Sequence, residues 1–252
     1  MRIFLNIEYD GRGYFGWQAQ TGLKTIEQEL KDAIETITKE QVKLIASGRT
    51  DKDVSAKNQI VHFDTDSNIN LKKLPFAINA FLSFNIRVKN AIIANENSHA
   101  RFDSKTKTYS YKMYTSFIQS PLRRNTHLQI RHNIDFEKMK IACQFFVGVH
   151  DFKPFCLIST DVKNYVREIY SCELNKNGDE IVLFIKGNGF LHNMVRVIVG
   201  TLISIGEHKL EPSEICKIFQ NGERKVESKT VPAFALTLEN VEYDNIKFDE
   251  LE

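Results

Sequence analysis

Two α+β halves in tandem are what this sequence predicts, and three observations carry the prediction. Segments of strand period and helix period alternate along the chain, their order from residue 3 to residue 94 is β-α-β-β-α-β, and a second round of strands and helices begins at Tyr109. No short internal period is visible, which argues against solenoids and propellers.

Ile3, Leu5, Ile7 and Tyr9 alternate with polar positions as a half-buried strand does, and Asp10-Gly11-Arg12-Gly13 supplies turn chemistry. Thr25 with Gln28 makes a capping-box pattern, followed by Ile26, Leu30, Ala33, Ile34 and Ile37 at helical spacing. Strands are expected at 42–45, 59–63 and 87–94, and a helix at 71–82 with Pro75 in its first turn. In the second round, strands are expected at 109–114 and 128–132, and a helix at 136–147. A hairpin over 165–174 and 180–186 turns at Asn177-Gly178. Helices at 190–206 and 212–220 and a closing strand at 234–243 complete the order. Each half then has a split β-α-β (ferredoxin- or RRM-like) layout, one spanning 1–105 and the other 106–252. Their antiparallel-rich sheets would flank a central basic cleft.

Composition narrows the function. The 252 residues carry 34 Lys plus Arg, 32 Asp plus Glu and 42% hydrophobic residues, which fits a globular chain and excludes disorder, collagen and membrane-span readings. The formal net charge is only +2, but it is sorted along the chain. Between 101 and 132, Arg101, Lys105, Lys107, Lys112, Arg123, Arg124 and Arg131 face Asp103 alone, whereas the tail from Glu239 is acidic. Cys143, Cys156, Cys172 and Cys216 form no C-x-x-C pair, so neither a zinc site nor a disulfide scaffold is expected, and a reducing cytoplasm fits. No leader-like segment follows Met1, and the apolar run 190–205 is too short and too charged to span a bilayer.

Three places could carry chemistry. Ser47-Gly48-Arg49-Thr50-Asp51 puts a guanidinium and a carboxylate in a loop at a strand end, although taken alone it also describes an ordinary surface turn. His192, Arg196, Gly200 and Ser204 recur every four residues within an apolar helix. Such a stripe either faces water or faces a cleft, where Arg196 would pair with a carboxylate that must stay ionised. Tyr109 and Tyr111 alternate on a strand with Lys105, Lys107 and Lys112, and Arg123, Arg124 and Arg131 follow. Aromatic faces beside phosphate-binding cations suit single-stranded RNA, and the same strand is also an ordinary half-buried sheet element with solvated lysines.

Those residues resemble the TruA family of tRNA pseudouridine synthases. Tyr9-Asp10-Gly11-Arg12-Gly13-Tyr14-Phe15-Gly16-Trp17-Gln18 is similar to the family's opening motif, and Gly48-Arg49-Thr50-Asp51 to its catalytic signature. Ala100-Arg101-Phe102 with Tyr109-Ser110-Tyr111, His150-Asp151-Phe152, Gly189 to Arg196 with Val199-Gly200, and Val231-Pro232-Ala233 follow in the family's order.

The resemblance implies an isomerase that converts uridine to pseudouridine in the tRNA anticodon stem-loop, with positions 38 to 40 expected. It further implies a cytoplasmic homodimer needing no metal or cofactor. It makes Asp51 the catalytic carboxylate, Tyr109 the residue against the uracil, Arg196 the partner of Asp51 and Arg49 an aid in extracting the base. Lys105, Lys107, Arg123 and Arg124 join Arg49 and Tyr109 as substrate-binding candidates.

Two departures stand out. Asp53 and Ala235 occupy positions where the family usually has glycine, so backbone freedom should be lost at both, and Asp53 sets a second carboxylate near Asp51. The competing readings are a tRNA-binding protein or RNA-folding aid of the same fold without strong catalysis and, more remotely, a glycosyl hydrolase using Asp51 and Asp53.

Overall fold

In the computed structural model, which describes residues 1–159 and 162–248, the chain divides into two compact units. The first comprises Met1–Lys107 with the segment from Thr237, and the second comprises Thr108–Leu236. Both are α+β. Of the acidic tail, Asp249, Glu250 and Glu252 lie outside the described residues.

In the first unit the order is β1 (Arg2–Tyr9), α1 (Ile26–Thr38), β2 (Ile45–Ala46), β3 (Ser55–Asp64), α2 (Leu74–Asn79) and β4 (Ile86–Ala94). β1 lies between β3 and β4, antiparallel to both, and β2 pairs antiparallel to β3. Phe4, on the face opposite Ile3, Leu5 and Ile7, is also buried, because His62 and Tyr243 cover that face, so the alternation of β1 is weaker than a half-buried strand would show. Ile26, Leu30, Ala33 and Ile34 form the buried face of α1, and each large aliphatic contributes about 1.5–3 kcal/mol.

The capping box of α1 does not form. Thr25 occupies the cap position in an extended conformation, but its hydroxyl is buried without a hydrogen-bond partner, and Gln28 instead donates to Asp32 (2.8 Å). The first helical N–H groups, of Ile26 and Glu27, donate to the carbonyls of Gly16 (3.2 Å) and Trp17 (3.0 Å). Main chain brought in by the opening motif therefore does the capping that the sequence assigns to side chains.

The second unit runs β5 (Thr106–Thr115, its first two residues belonging to the first unit), β6 (Leu128–Ile130), α3 (Phe136–Cys143), β7 (Gly148–Asp151), β8 (Val166–Asn177), β9 (Glu180–Gly187), α4 (Met194–Gly206) and α5 (Glu214–Asn221). β7, β8 and β9 form an antiparallel ribbon, and β6 pairs parallel to β5. The hairpin turns at Gly178 in the left-handed conformation, as its Asn-Gly pair predicts.

The helix expected from residue 190 starts at Met194, because Asn193 takes a left-handed conformation (φ 62°) and breaks the spiral. His192 therefore lies before the helix and is exposed, outside the stripe that its spacing suggested. The last strand, β10 (Leu236–Glu242), pairs parallel to β3 through Thr237 opposite Ser55 and Leu238 opposite Ala56.

Candidate active site

Asp51 sits half-buried in the loop between β2 and β3, and the opening motif holds that loop by main-chain contact. Trp17 N–H donates to Thr50 carbonyl (3.0 Å), Asp53 N–H donates to Tyr14 carbonyl (3.3 Å), and Val54 N–H closes a turn on Asp51 carbonyl (3.2 Å). Two glycines make this approach possible. A Cβ on Gly11 would stand 1.9 Å from Val54 carbonyl oxygen, and one on Gly16, which is left-handed at φ 85°, would stand 2.8 Å from Thr50 carbonyl oxygen.

Beneath the loop runs a polar chain. Tyr9 Oη and Thr50 Oγ1 share a hydrogen bond (2.8 Å), and Gln59 Nε2 donates to Gly48 carbonyl (2.8 Å) while Ser47 Oγ donates to Gln59 Oε1 (2.5 Å). Gln59 and Ser47 are buried, so each bond is made in a low-dielectric interior where leaving it unmade would cost about 1–3 kcal/mol. Burial pushes the Tyr9 phenol up to about 12, which keeps it a neutral hydrogen-bonding group. Gln59 was not singled out from the sequence. Its signal is a carboxamide within the apolar strand 59–63.

Asp53 takes the left-handed conformation (φ 66°), which favours glycine, and its Oδ1 accepts from Gly13 N–H (3.1 Å). An aspartate tolerates this region better than most residues. Ala235 is different. It is buried, and its φ is not positive, so alanine there carries no left-handed strain. Arg49 is exposed beside Asp51.

In the second unit, Tyr109 is almost fully buried, with its ring edge-on to Phe190 at 5.1 Å between centres. Tyr111, on the same face of β5, donates its hydroxyl to Pro232 carbonyl (2.8 Å), and burial raises its proton affinity. Arg196 donates from Nε to the neighbouring carbonyl of Val231 (2.8 Å) and from Nη1 to Asn193 Oδ1 (2.5 Å).

The small-residue stripe of α4 turns out to be a seat for chain. Ser204 Oγ donates to Glu227 carbonyl (2.7 Å), and a Cβ on Gly200 would stand 1.8 Å from Lys229 carbonyl oxygen. Residues 227–231 therefore lie along Ser204, Gly200 and Arg196, so the stripe is covered by the protein's own backbone.

The basic candidates are divided between the two units. Lys105 pairs with Asp244 (2.9 Å) and Lys107 donates to Ser104 Oγ (3.2 Å), both in the first unit. Arg123 pairs with Asp179 through both carboxylate oxygens (2.9 Å each) and lies over the Tyr114 ring, while Arg124 is exposed. This cluster sits at the Thr115 end of β5, about 20 Å along the strand from Tyr109. Within the His150-Asp151-Phe152 block, His150 stacks on Phe219 at 4.4 Å, and Phe152 is buried edge-on to the same ring. Among the described residues no cluster of His, Cys, Asp or Glu is arranged to hold a metal ion, and no helix is long and apolar enough to cross a membrane.

A family profile described as tRNA pseudouridine synthase matches residues 6–103 and 142–244. The chain belongs to the tRNA pseudouridine synthase family. It is 40% identical over 241 residues to tRNA pseudouridine synthase A of Caldicellulosiruptor bescii, covering 96% of this chain and 99% of that protein. The tRNA pseudouridine synthases A of Bacillus pumilus and Bacillus subtilis are 39% and 37% identical, each covering 97% of this chain and all of theirs. As a pseudouridine synthase the chain is an isomerase. Both the opening motif and the segment around Asp51 fall inside the first matched stretch, and the Arg196 helix with Val231-Pro232 falls inside the second.

Proposed function

We propose that this synthase isomerises uridine to pseudouridine in the anticodon stem-loop of tRNA, at positions 38 to 40, with Asp51 as the catalytic carboxylate. The observation that carries the reading is the way Gly11 and Gly16 bring the opening motif onto the main chain around Asp51. That arrangement fixes one carboxylate-bearing loop against a buried polar floor, which is what positioning for catalysis requires.

The reaction breaks the N1–C1′ bond, turns the base and forms a C5–C1′ bond, with the C5 proton leaving and N1 gaining one. Asp51 acts on the ribose or the base, either as nucleophile or as proton acceptor. Tyr109 packs against the flipped uracil, and its phenol manages the C5 proton. Arg196 pairs with Asp51, and Arg49 helps to extract the base. Lys105, Lys107, Arg123 and Arg124 contact the RNA backbone. The enzyme works as a homodimer in the cytoplasm, a setting that suits its four free thiols.

The test incubates purified protein and Asp51→Asn with unmodified tRNA transcripts, then maps pseudouridine by carbodiimide labelling and primer extension. Product in the anticodon stem-loop from the wild type alone is expected. Salt-sensitive tRNA binding with no product from the wild type would instead indicate a binding protein of this fold.

A further inference from the structure

Two arginines of the second unit carry charge that the reading above leaves unused. Arg167, on β8, donates from Nη1 to the carbonyls of Asn164 (3.0 Å) and Val166 (2.7 Å). Arg224, just beyond α5, donates from Nε to Ser228 carbonyl (2.7 Å) and from Nη2 to the same carbonyl and to Thr230 Oγ1 (3.0 Å).

Their partners set them apart from Arg2, Arg12 and Arg123, each of which is paired with an aspartate. Carbonyl and hydroxyl oxygens fix the direction of a guanidinium without cancelling its charge. Burial lowers the proton affinity of both Arg167 and Arg224, the direction of a cation drawn out of water with no anion beside it. Asp151 also acts on this neighbourhood through the Cys156 thiol, but its Oδ1 accepts from Lys153 N–H (2.9 Å) and it bonds neither arginine.

The two arginines converge on one locality. Arg167 stands opposite His150 in the β7–β8 pairing, His150 stacks on Phe219 of α5, and Arg224 follows that helix. Gly189 lies against Arg167, since a Cβ there would stand 3.8 Å from Nε, at ordinary contact distance. Arg224 is anchored on Ser228 and Thr230, part of the segment laid along α4 toward Arg196. A guanidinium with free N–H groups, oriented from behind by neutral acceptors, suits the geometry of a phosphate oxygen pair.

We propose that Arg167 and Arg224 together receive a phosphodiester of the RNA backbone beside the turn that leads into the Arg196 helix. The proposal rests on RNA being the substrate, as argued above.

Affinity for an unmodified tRNA transcript, measured by fluorescence anisotropy over a series of KCl concentrations, tests it. Arg224→Ala and Arg167→Ala should each weaken binding about tenfold and make the slope of log K against log salt shallower by about 0.7–0.9. Arg224→Lys should restore most of the slope, and Lys217→Ala, on the exposed side of α5, should leave it unchanged. Arg167 is half-buried, so its variant is checked by thermal melting, while Arg224, the more exposed of the two, provides the independent arm. Unchanged slopes in both alanine variants overturn the proposal. If pseudouridine forms but neither slope moves, the phosphate site falls and the isomerase stands; if the slopes move but no pseudouridine forms, the isomerase falls and the phosphate site stands.

Discussion

The Asp51 loop and the Arg196 helix are held in opposite ways. Around Asp51 main chain meets main chain, and the fit depends on the absence of side chains at Gly11 and Gly16. Along α4 the covering segment is gripped by side chains, with Ser204 and Arg196 donating to carbonyls and Tyr111 reaching Pro232 from β5. At Gly200 the second unit also uses the first unit's method. The lesson is that the first region should fail sterically and abruptly, and the second by graded loss of hydrogen bonds.

The largest effect expected is from Gly11→Ala, whose Cβ would overlap Val54 carbonyl oxygen. The backbone must shift, at a cost of about 2–4 kcal/mol, and pseudouridine formation should fall by about 100-fold or more because the displaced chain carries Asp51. Gly200→Ala should melt as early but lose less turnover. Equal losses of activity would erase the contrast between the regions. Next comes Arg196→Ala, which removes two hydrogen bonds and should reduce kcat more than any single surface lysine does. Survival of activity within a few-fold would refute its pairing with Asp51.

A third test uses acid. His62, buried on β3, accepts from Ala100 N–H at Nδ1 (3.0 Å), and burial together with nearby Arg2 depresses it from its ordinary 6.5 to about 4. The unfolded chain therefore takes up the proton first, so stability should fall as pH drops from about 6.5 to about 4. Hydrogen exchange at pH 5 should show the first unit opening before the second, and His62→Asn should flatten the dependence. The smallest change expected is from Asp53→Gly. Relief at φ 66° and loss of the Gly13 contact nearly offset, leaving stability within about 1 kcal/mol and turnover equal or better. A large loss of turnover would show that Asp53 has been adopted into the site.

Much of this architecture was readable where a signal is local. The alternation in β1, the spacing in α1 and the Asn-Gly turn each act over a few residues, and all three elements formed. Non-local partners were not readable. The cap of α1 comes from Gly16 and Trp17 rather than from Thr25 and Gln28, and nothing in the pattern of α4 says that residues 227–231 would cover it. α4 was also read four residues too long, since apolar residues continue through 190–193 while one left-handed asparagine stops the helix. β7 went unseen because four residues holding a histidine and an aspartate carry too little pattern. Motif order pointed to Asp51, whereas the Gln59 floor and the Arg167–Arg224 pair emerge only when distant segments meet.

The pairing of β10 with β3 has a consequence for how the protein is made. Asn58 donates to Glu239 carbonyl across 181 residues of sequence, and Thr237 lies opposite Ser55. During synthesis the first unit must therefore wait, with the Ser55–Ala56 end of β3 unpaired on that side, until the entire second unit has emerged. An open strand edge beside a growing chain invites the wrong neighbour. Long-range pairing of this kind is also slow, so completion of the first unit's sheet is expected to limit the rate at which new molecules become active.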